Sequence, residues 1–293
     1  MSRVNTEKHV LGLSGGRDSA ALAVYMRQHH PELDIEYFFT DTGKELPEVY
    51  EYLGRLEGFL GKTILRLNPK RDFDFWLNQY NNYLPSPQSR WCTRQLKLRP
   101  FEQWLKPRIK NGETIYSYVA IRSDEEYREG YNSKNNKLIV CLPFKESGID
   151  KEGVLEILES AGLGLPDYYS WRTRSGCTFC FFQQKIEWVR LKEYHPEAFE
   201  EAKAYEKNSV EHGSPFTWCQ GESLDELEKP ERVEQILKDH KKRLVRMRSR
   251  IKPNPLRPDE DPLDMDDLYG QSKIDHKGHP YLAGLHLVVV DWA

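Results

Sequence analysis

The chain has 293 residues, 38% hydrophobic and 30% charged, enough for one large core or two smaller ones in a globular protein. Its net charge of -3 excludes a bulk electrostatic pull toward nucleic acid, and no apolar stretch approaches membrane-spanning length. The start, Met1-Ser2-Arg3-Val4-Asn5-Thr6-Glu7-Lys8, offers no signal-peptide core, and five cysteines argue against a disulfide framework, so the sequence reads as cytoplasmic with no membrane partner.

The first apolar run, His9-Val10-Leu11-Gly12-Leu13, gives way through Ser14-Gly15-Gly16-Arg17-Asp18-Ser19 to the helix-prone Ala20-Ala21-Leu22-Ala23. A strand that breaks through paired glycines into a helix aims several backbone N–H groups and the positive helix end at one point, which suits a phosphate. Neither Gly-x-x-x-x-Gly-Lys-Ser/Thr nor Gly-x-Gly-x-x-Gly is present. Residues 34–40 read as a second strand, 47–60 as a helix, 63–67 as a third strand and 116–121 as a later one. Further helices are predicted over 96–109, 151–161, 185–193 and 197–207.

Strands alternating with helices imply a doubly wound, mostly parallel α/β sheet. This nucleotide-binding domain is expected over 1–195, followed by a mainly helical region over 196–293. Ligands collect at the carboxyl ends of such strands. Asp41-Thr42-Gly43-Lys44-Glu45 and Arg122-Ser123-Asp124-Glu125-Glu126 occupy two of those ends and are expected to face the phosphate loop.

Beyond residue 196, Lys238, Lys241, Lys242, Arg243, Arg246, Arg248, Arg250 and Lys252 crowd into one segment. They either hold polynucleotide phosphates or form a solvated helix end, where cations are favoured. An acidic, Pro-rich stretch over 253–267 reads as a linker or ordered loop, and 284–290 as a closing strand. Trp171, Trp188 and Trp218 read as packed core, and His195-Pro196-Glu197 as a helix start. The pair in Cys177-Thr178-Phe179-Cys180 can mark zinc, a redox disulfide or an iron–sulfur cluster.

Four motifs follow the loop in order. Asp41-Thr42-Gly43-Lys44-Glu45-Leu46-Pro47-Glu48, Trp91-Cys92-Thr93-Arg94-Gln95-Leu96-Lys97, Arg122-Ser123-Asp124-Glu125-Glu126-Tyr127-Arg128 and Gly176-Cys177-Thr178-Phe179-Cys180 carry them. Together with Ser14-Gly15-Gly16-Arg17-Asp18-Ser19, they resemble the phosphoadenosine-phosphosulfate reductase family of pyrophosphate-loop enzymes, roughly over residues 10–206. Arg17 stands where many members have Lys, and Ala120 where the family often has Gly.

The resemblance implies an adenine nucleotide alpha hydrolase-like fold that splits ATP between its alpha and beta phosphates. Ser14, Gly15, Gly16, Asp18 and Ser19 would present donors to the beta and gamma phosphates, with Arg17 adding charge. Asp41, Thr42, Gly43 and Glu45 would approach the nucleotide, and Asp18 and Asp41 are the candidates for Mg2+. Arg122 would stabilise charge as pyrophosphate leaves, against the alternative of a salt bridge with Glu125 or Glu126. Asp18, Asp41 and Arg122 are thus the catalytic candidates. A 4Fe-4S cluster is implied, with Cys92, Cys177 and Cys180 as ligands and Cys219 as the fourth, while Cys141 reads as core.

The family's reductases use a C-terminal Glu-Cys-Gly cysteine, and no cysteine follows Cys219 here. Subtracting that chemistry leaves an ATP pyrophosphatase that adenylates an acceptor oxygen for replacement by sulfur. The Gly-Cys-x-x-Cys element followed by Phe181-Phe182-Gln183-Gln184-Lys185-Ile186-Glu187-Trp188 is most similar to the branch serving DNA phosphorothioation, the DndC or SspD type. That branch implies a cysteine desulfurase partner and DNA as acceptor. A tRNA thiolase, a reductase of the family and a non-catalytic nucleotide-sensing module are the alternatives.

Overall fold

The computed structural model describes residues 7–67, 70–130, 135–173, 176–213 and 216–248. The acidic stretch over 253–267, the closing strand over 284–290, and Arg250 and Lys252 lie outside the described residues. The chain forms two compact units. One holds the described residues up to Phe73 together with Trp91–Asp167, and the other holds Asp74–Arg90 and the described residues from Tyr168 onward.

In the first unit, β1 (Glu7–Leu13) leads into α1 (Arg17–His29), β2 (Ile35–Phe39) into α2 (Pro47–Leu60), and β3 (Leu65–Arg66) into a short helix α3 (Phe73–Gln79) whose remainder belongs to the second unit. After a π-helical turn at Thr93–Leu98 come α4 (Arg99–Lys110), β4 (Thr114–Tyr118), β5 (Leu138–Cys141), α5 (Pro143–Glu146) and α6 (Lys151–Ser160). The strands form one sheet in the order β3-β2-β1-β4-β5, with every pairing parallel. Leu11 sits beside Tyr37 on one side and Tyr118 on the other.

Residues along a strand alternate between faces, and this divides the core into two layers. Val10, Phe38, Ile115 and Leu138 pack with Leu105 and Ile109 of α4 on one face. Their buried neighbours Leu11 and Leu13 point to the opposite face, that of α1, which contacts both α2 and α6. Helices therefore cover both faces, as the strand–helix alternation predicts.

Local chemistry accounts for the element ends. Pro47 stands at the start of α2, where its missing N–H costs nothing, and Gly61 ends the helix in the left-handed region at φ 63°. Two elements differ from their sequence expectation. The strand predicted over 116–121 ends at Tyr118: Val119 still donates to the Cys141 carbonyl of β5, but Ile121 then donates back to Val119, closing a tight turn toward Arg122. The helix predicted from residue 96 begins earlier, as a π turn in which the Arg99 N–H reaches the Arg94 carbonyl five residues back.

The second unit is built from the rest of α3, the 3-10 turn Asp167–Ser170 apart from its first residue, α7 (Lys185–Tyr194), α8 (Pro196–Glu211), α9 (Leu224–Leu227) and α10 (Pro230–Arg248). Residue 195, the boundary drawn from the sequence, falls between α7 and α8. Its core contains Trp171, Trp188 and Trp218, all nearly or fully buried, and His195 opens α8. Glu206 is buried here as well. It accepts from the Trp218 N–H at 2.9 Å and the Leu224 N–H at 2.6 Å, while the Trp218 indole donates to Ala202. No helix among the described residues is long and apolar enough to cross a membrane.

Truncating Leu105, which is 1% exposed between α4 and the sheet, tests the α4 layer. Leu105→Ala is expected to lower unfolding free energy by about 2–5 kcal/mol in a denaturant titration. A loss below about 1 kcal/mol, the range of surface changes, contradicts this packing.

Candidate nucleotide site

The strand order reverses direction at β1, with β2 and β3 on one side and β4 and β5 on the other. A crevice at such a switch point opens between the carboxyl ends of β1 and β4. The segments leaving those ends are Ser14-Gly15-Gly16 and Val119-Ala120-Ile121-Arg122.

The first segment is closely tied. Gly15 has φ 73°, and a Cβ placed there would come within 2.5 Å of Val49 Cγ1, so both backbone and space demand glycine. The Ser14 N–H donates to Ser19 Oγ at 3.1 Å, the two hydroxyls lie 3.1 Å apart, the Gly16 N–H donates to Ser14 Oγ, and Ser19 Oγ donates to the Gly16 carbonyl. Gly16 caps α1 without any side-chain hydrogen bond, and the positive end of the helix faces the loop. Arg17, expected to add charge to the phosphates, is buried with Nε 4.0 Å from Asp18 Oδ1.

Arg122 joins the second segment to the first. Its Nη1 donates to Asp18 Oδ1 at 3.0 Å, while Nε and Nη2 donate to the two oxygens of Asp124 at 2.8 and 3.0 Å. Burial alone would lower the guanidinium's pKa, but the Asp124 hydrogen bonds and the Asp18 and Glu125 charges raise it, so the group is a fixed cation. Asp124 is held below the usual carboxylate range by Arg122, although burial pulls the other way. The expected alternative of a side-chain pair with Glu125 or Glu126 is not what forms. Glu125 instead accepts the Arg122 backbone N–H and pairs with Arg128 at 2.7 Å.

The loop after β2 is organised by its own side chains. Asp41 Oδ1 accepts from the Gly43 N–H at 2.9 Å and from the Tyr50 hydroxyl at 2.8 Å. Burial, followed by that bond, raises the Tyr50 pKa and keeps the phenol a donor. Thr42 Oγ1 donates to Glu45 Oε1 at 2.9 Å, and Lys97 Nζ lies 3.7 Å from the same oxygen. Glu45 is buried and braces the loop to the π turn that carries Lys97. Gly43 is exposed, and Asp41 and Asp18 are partly exposed. Two hard carboxylates suit Mg2+ chemically.

Cys92 stands at the start of the π turn in the first unit, and the other candidate cysteines are in the second. Cys177 and Cys180 are half-buried, whereas Cys219 is 5% exposed and burial pushes its thiol up to about 12. Cys141 lies in β5, and burial raises its thiol too. Among the described residues, no three Cys, His, Asp or Glu side chains are grouped as metal ligands. No chemical step is derived through a cluster.

Sequence reasoning missed Asp124, Tyr50 and Arg172. Asp124 occupies a variable position of its motif, and Tyr50 reads as one more residue of an amphipathic helix. Arg172 is fully buried, donating to the Cys177 carbonyl at 2.5 Å and the Thr178 carbonyl at 3.4 Å, with Nε making no hydrogen bond. Gln183 also donates to the Thr178 carbonyl, so two side chains shape the backbone of the cysteine loop. A cation beside the buried Trp171 and a few residues before Gly176-Cys177 was the available signal.

A parallel sheet with a glycine loop at its switch point and an arginine crossing that crevice defines a nucleotide-binding α/β domain. The sequence model of the phosphoadenosine phosphosulfate reductase domain family matches residues 8–130, the stretch from β1 through the Arg122 loop. An uncharacterized protein of Methanocaldococcus jannaschii is 26% identical, covering 64% of this chain and 44% of its own length. An uncharacterized nin region protein of Escherichia phage lambda is 28% identical over 41% of this chain and 50% of its own. The chain therefore spans half the length or less of these curated relatives.

Two solved structures are also similar. The phosphoadenylyl-sulfate reductase of Candida auris, in a phosphate complex, has 13% identity and a TM-score of 0.46 over 60% of this chain and 84% of its own. The U34-tRNA thiolase NcsA of Methanococcus maripaludis, with its 4Fe-4S cluster, has 15% identity and a TM-score of 0.39 over 77% and 81%.

Gly15→Ala is expected to destabilise the protein by about 2–4 kcal/mol, from the left-handed backbone and the Val49 overlap together, as read by denaturant midpoint. A neutral effect contradicts the loop geometry. Cys219, with its folded pKa above the unfolded value, contributes stability that is present below the unfolded pKa and is lost as pH rises toward about 12. Iodoacetamide at mildly alkaline pH should therefore label Cys219 only after unfolding, and its early alkylation in mass-spectrometric mapping contradicts the burial.

Proposed function

We propose that the protein is an ATP pyrophosphatase that adenylates an acceptor oxygen for replacement by sulfur, with DNA phosphate as acceptor and a cysteine desulfurase as sulfur donor. The observation that carries this reading is the juxtaposition at the carboxyl ends of β1 and β4. There a tied glycine loop, an α1 start without a side-chain cap and the Arg122 guanidinium meet through the Arg122–Asp18 bond. The positive start of α1 and the Ser14 and Ser19 hydroxyls hold the beta and gamma phosphates as one leaving group, and Arg122 neutralises the charge that collects as the bond from the alpha phosphate breaks. Asp18 and Asp41 would hold Mg2+, which supplies further charge neutralisation when bound.

A polynucleotide acceptor is supported by the second half of α10. Lys238, Lys241, Lys242 and Arg246 are exposed there, with Asp239 as their acidic neighbour. Arg243 differs from them because its Nη1 donates to Gln184 Oε1 at 2.9 Å and fixes α10 to the start of α7. The rest of the sulfur-transfer reading rests on resemblance and on the cysteine pair.

Ser14→Ala and Asp18→Ala should each depress ATP turnover more than about tenfold, since loss of one preorganised contact typically costs about 2–4 kcal/mol of barrier. Unchanged turnover in both variants moves the active site elsewhere. Replacing Lys241, Lys242 and Arg246 together by Ala should reduce the salt slope of DNA binding by about 2 to 3 in log units. Mass spectrometry of nuclease-digested DNA and tRNA, from cells with and without the gene, identifies the acceptor. A lost phosphorothioate dinucleotide supports DNA, and a lost thiolated tRNA base replaces it by tRNA.

A further inference from the structure

Arg122 is gripped unequally by its two carboxylates. Asp124 takes Nε and Nη2 in a fork-to-fork pair, whereas Asp18 takes one bond from Nη1. A two-point pair fixes the plane of the guanidinium as well as its place, and a single bond leaves the plane free. Asp124 also lies two residues from Arg122 on the same turn, while Asp18 belongs to the first turn of α1 across the crevice. The guanidinium is 7% exposed, but the side chains of Asp18 and Asp124 are 34% and 42% exposed, so solvent or an entering anion reaches both carboxylates.

An incoming polyphosphate places several negative charges beside Asp18. Repulsion weakens the hold of Asp18 on its partner, and each phosphate oxygen is a competing acceptor for Nη1. The two bonds to Asp124 need not break for that exchange. We propose that Asp124 is the positioning residue that presents Arg122 to the phosphates, and that the Asp18–Arg122 bond is exchanged for a phosphate contact when nucleotide enters. This inference rests on the nucleotide reading of the crevice.

The test is calorimetric binding of α,β-methylene-ATP with Mg2+ to the full chain and its variants. Asp124→Ala and Arg122→Gln should each weaken binding about tenfold to a hundredfold, the cost of a misplaced charged contact. The double variant should bind no more weakly than Arg122→Gln alone, a readout that a merely structural role would not produce. Asp124→Asn, which keeps the shape, should fall between wild type and Asp124→Ala. Without Mg2+, Asp18→Asn should bind the analogue at least as tightly as wild type, because the competing charge is gone.

Losses that multiply in the double variant, or wild-type affinity in Asp124→Ala, overturn the positioning role. A tenfold weaker Mg2+-free affinity in Asp18→Asn overturns the exchange. Failure of the wild type itself to bind the analogue overturns this inference and the functional reading together, whereas multiplied losses with intact wild-type binding overturn this inference alone.

Discussion

A nearly buried arginine held between two carboxylates is the constraint on which the chemistry of the first unit depends. Arg122 could not be withdrawn from water without those partners, because an unpaired buried charge is strongly destabilising. Its bonds to Asp18 and Asp124 join the turn after β4 to the first turn of α1. The sheet order puts those two places side by side, since β1 and β4 are neighbours although about a hundred residues separate them in sequence. The same pairing brings a cation to the start of α1, directly after the Ser14-Gly15-Gly16 loop.

Supporting layers hold this crevice without entering it. Val49 of α2 fills the space beside Gly15, so the glycine loop cannot be rebuilt with a side chain. Tyr50, the next residue, donates to Asp41, and Glu45 ties the same loop to Lys97 on the π turn. Helix α2 thus supports two loops at once, one through packing and one through a hydrogen bond.

The sheet was legible in the sequence because its signals are local. Apolar runs of five to seven residues mark strands, and Pro47 and Gly61 bound a helix that forms over the expected residues. The glycine loop was legible for the same reason. Partner choice was not: whether Arg122 bonds Asp18, Asp124, Glu125 or Glu126 depends on where the tight turn after Val119 sends it, and that turn is tied through Val119 to the Cys141 carbonyl of β5, a contact distant in sequence. The π turn was hidden because Leu96-Lys97-Leu98 reads as the start of an ordinary helix and nothing in Thr93-Arg94-Gln95 marks the wider turn before it. In the second unit, the cysteine spacing was visible but its support was not, since Arg172 and Gln183 act on backbone carbonyls that no sequence pattern reveals.

The central claim is that this crevice holds a triphosphate so that beta and gamma leave together. The most direct measurement is product identity with ATP labelled at the alpha phosphate, using purified full-length chain, Mg2+ and nucleic acid acceptor. The account predicts label in AMP, free or joined to acceptor, with unlabelled pyrophosphate released in equal amount. Label recovered in ADP, with phosphate as the other product, contradicts it.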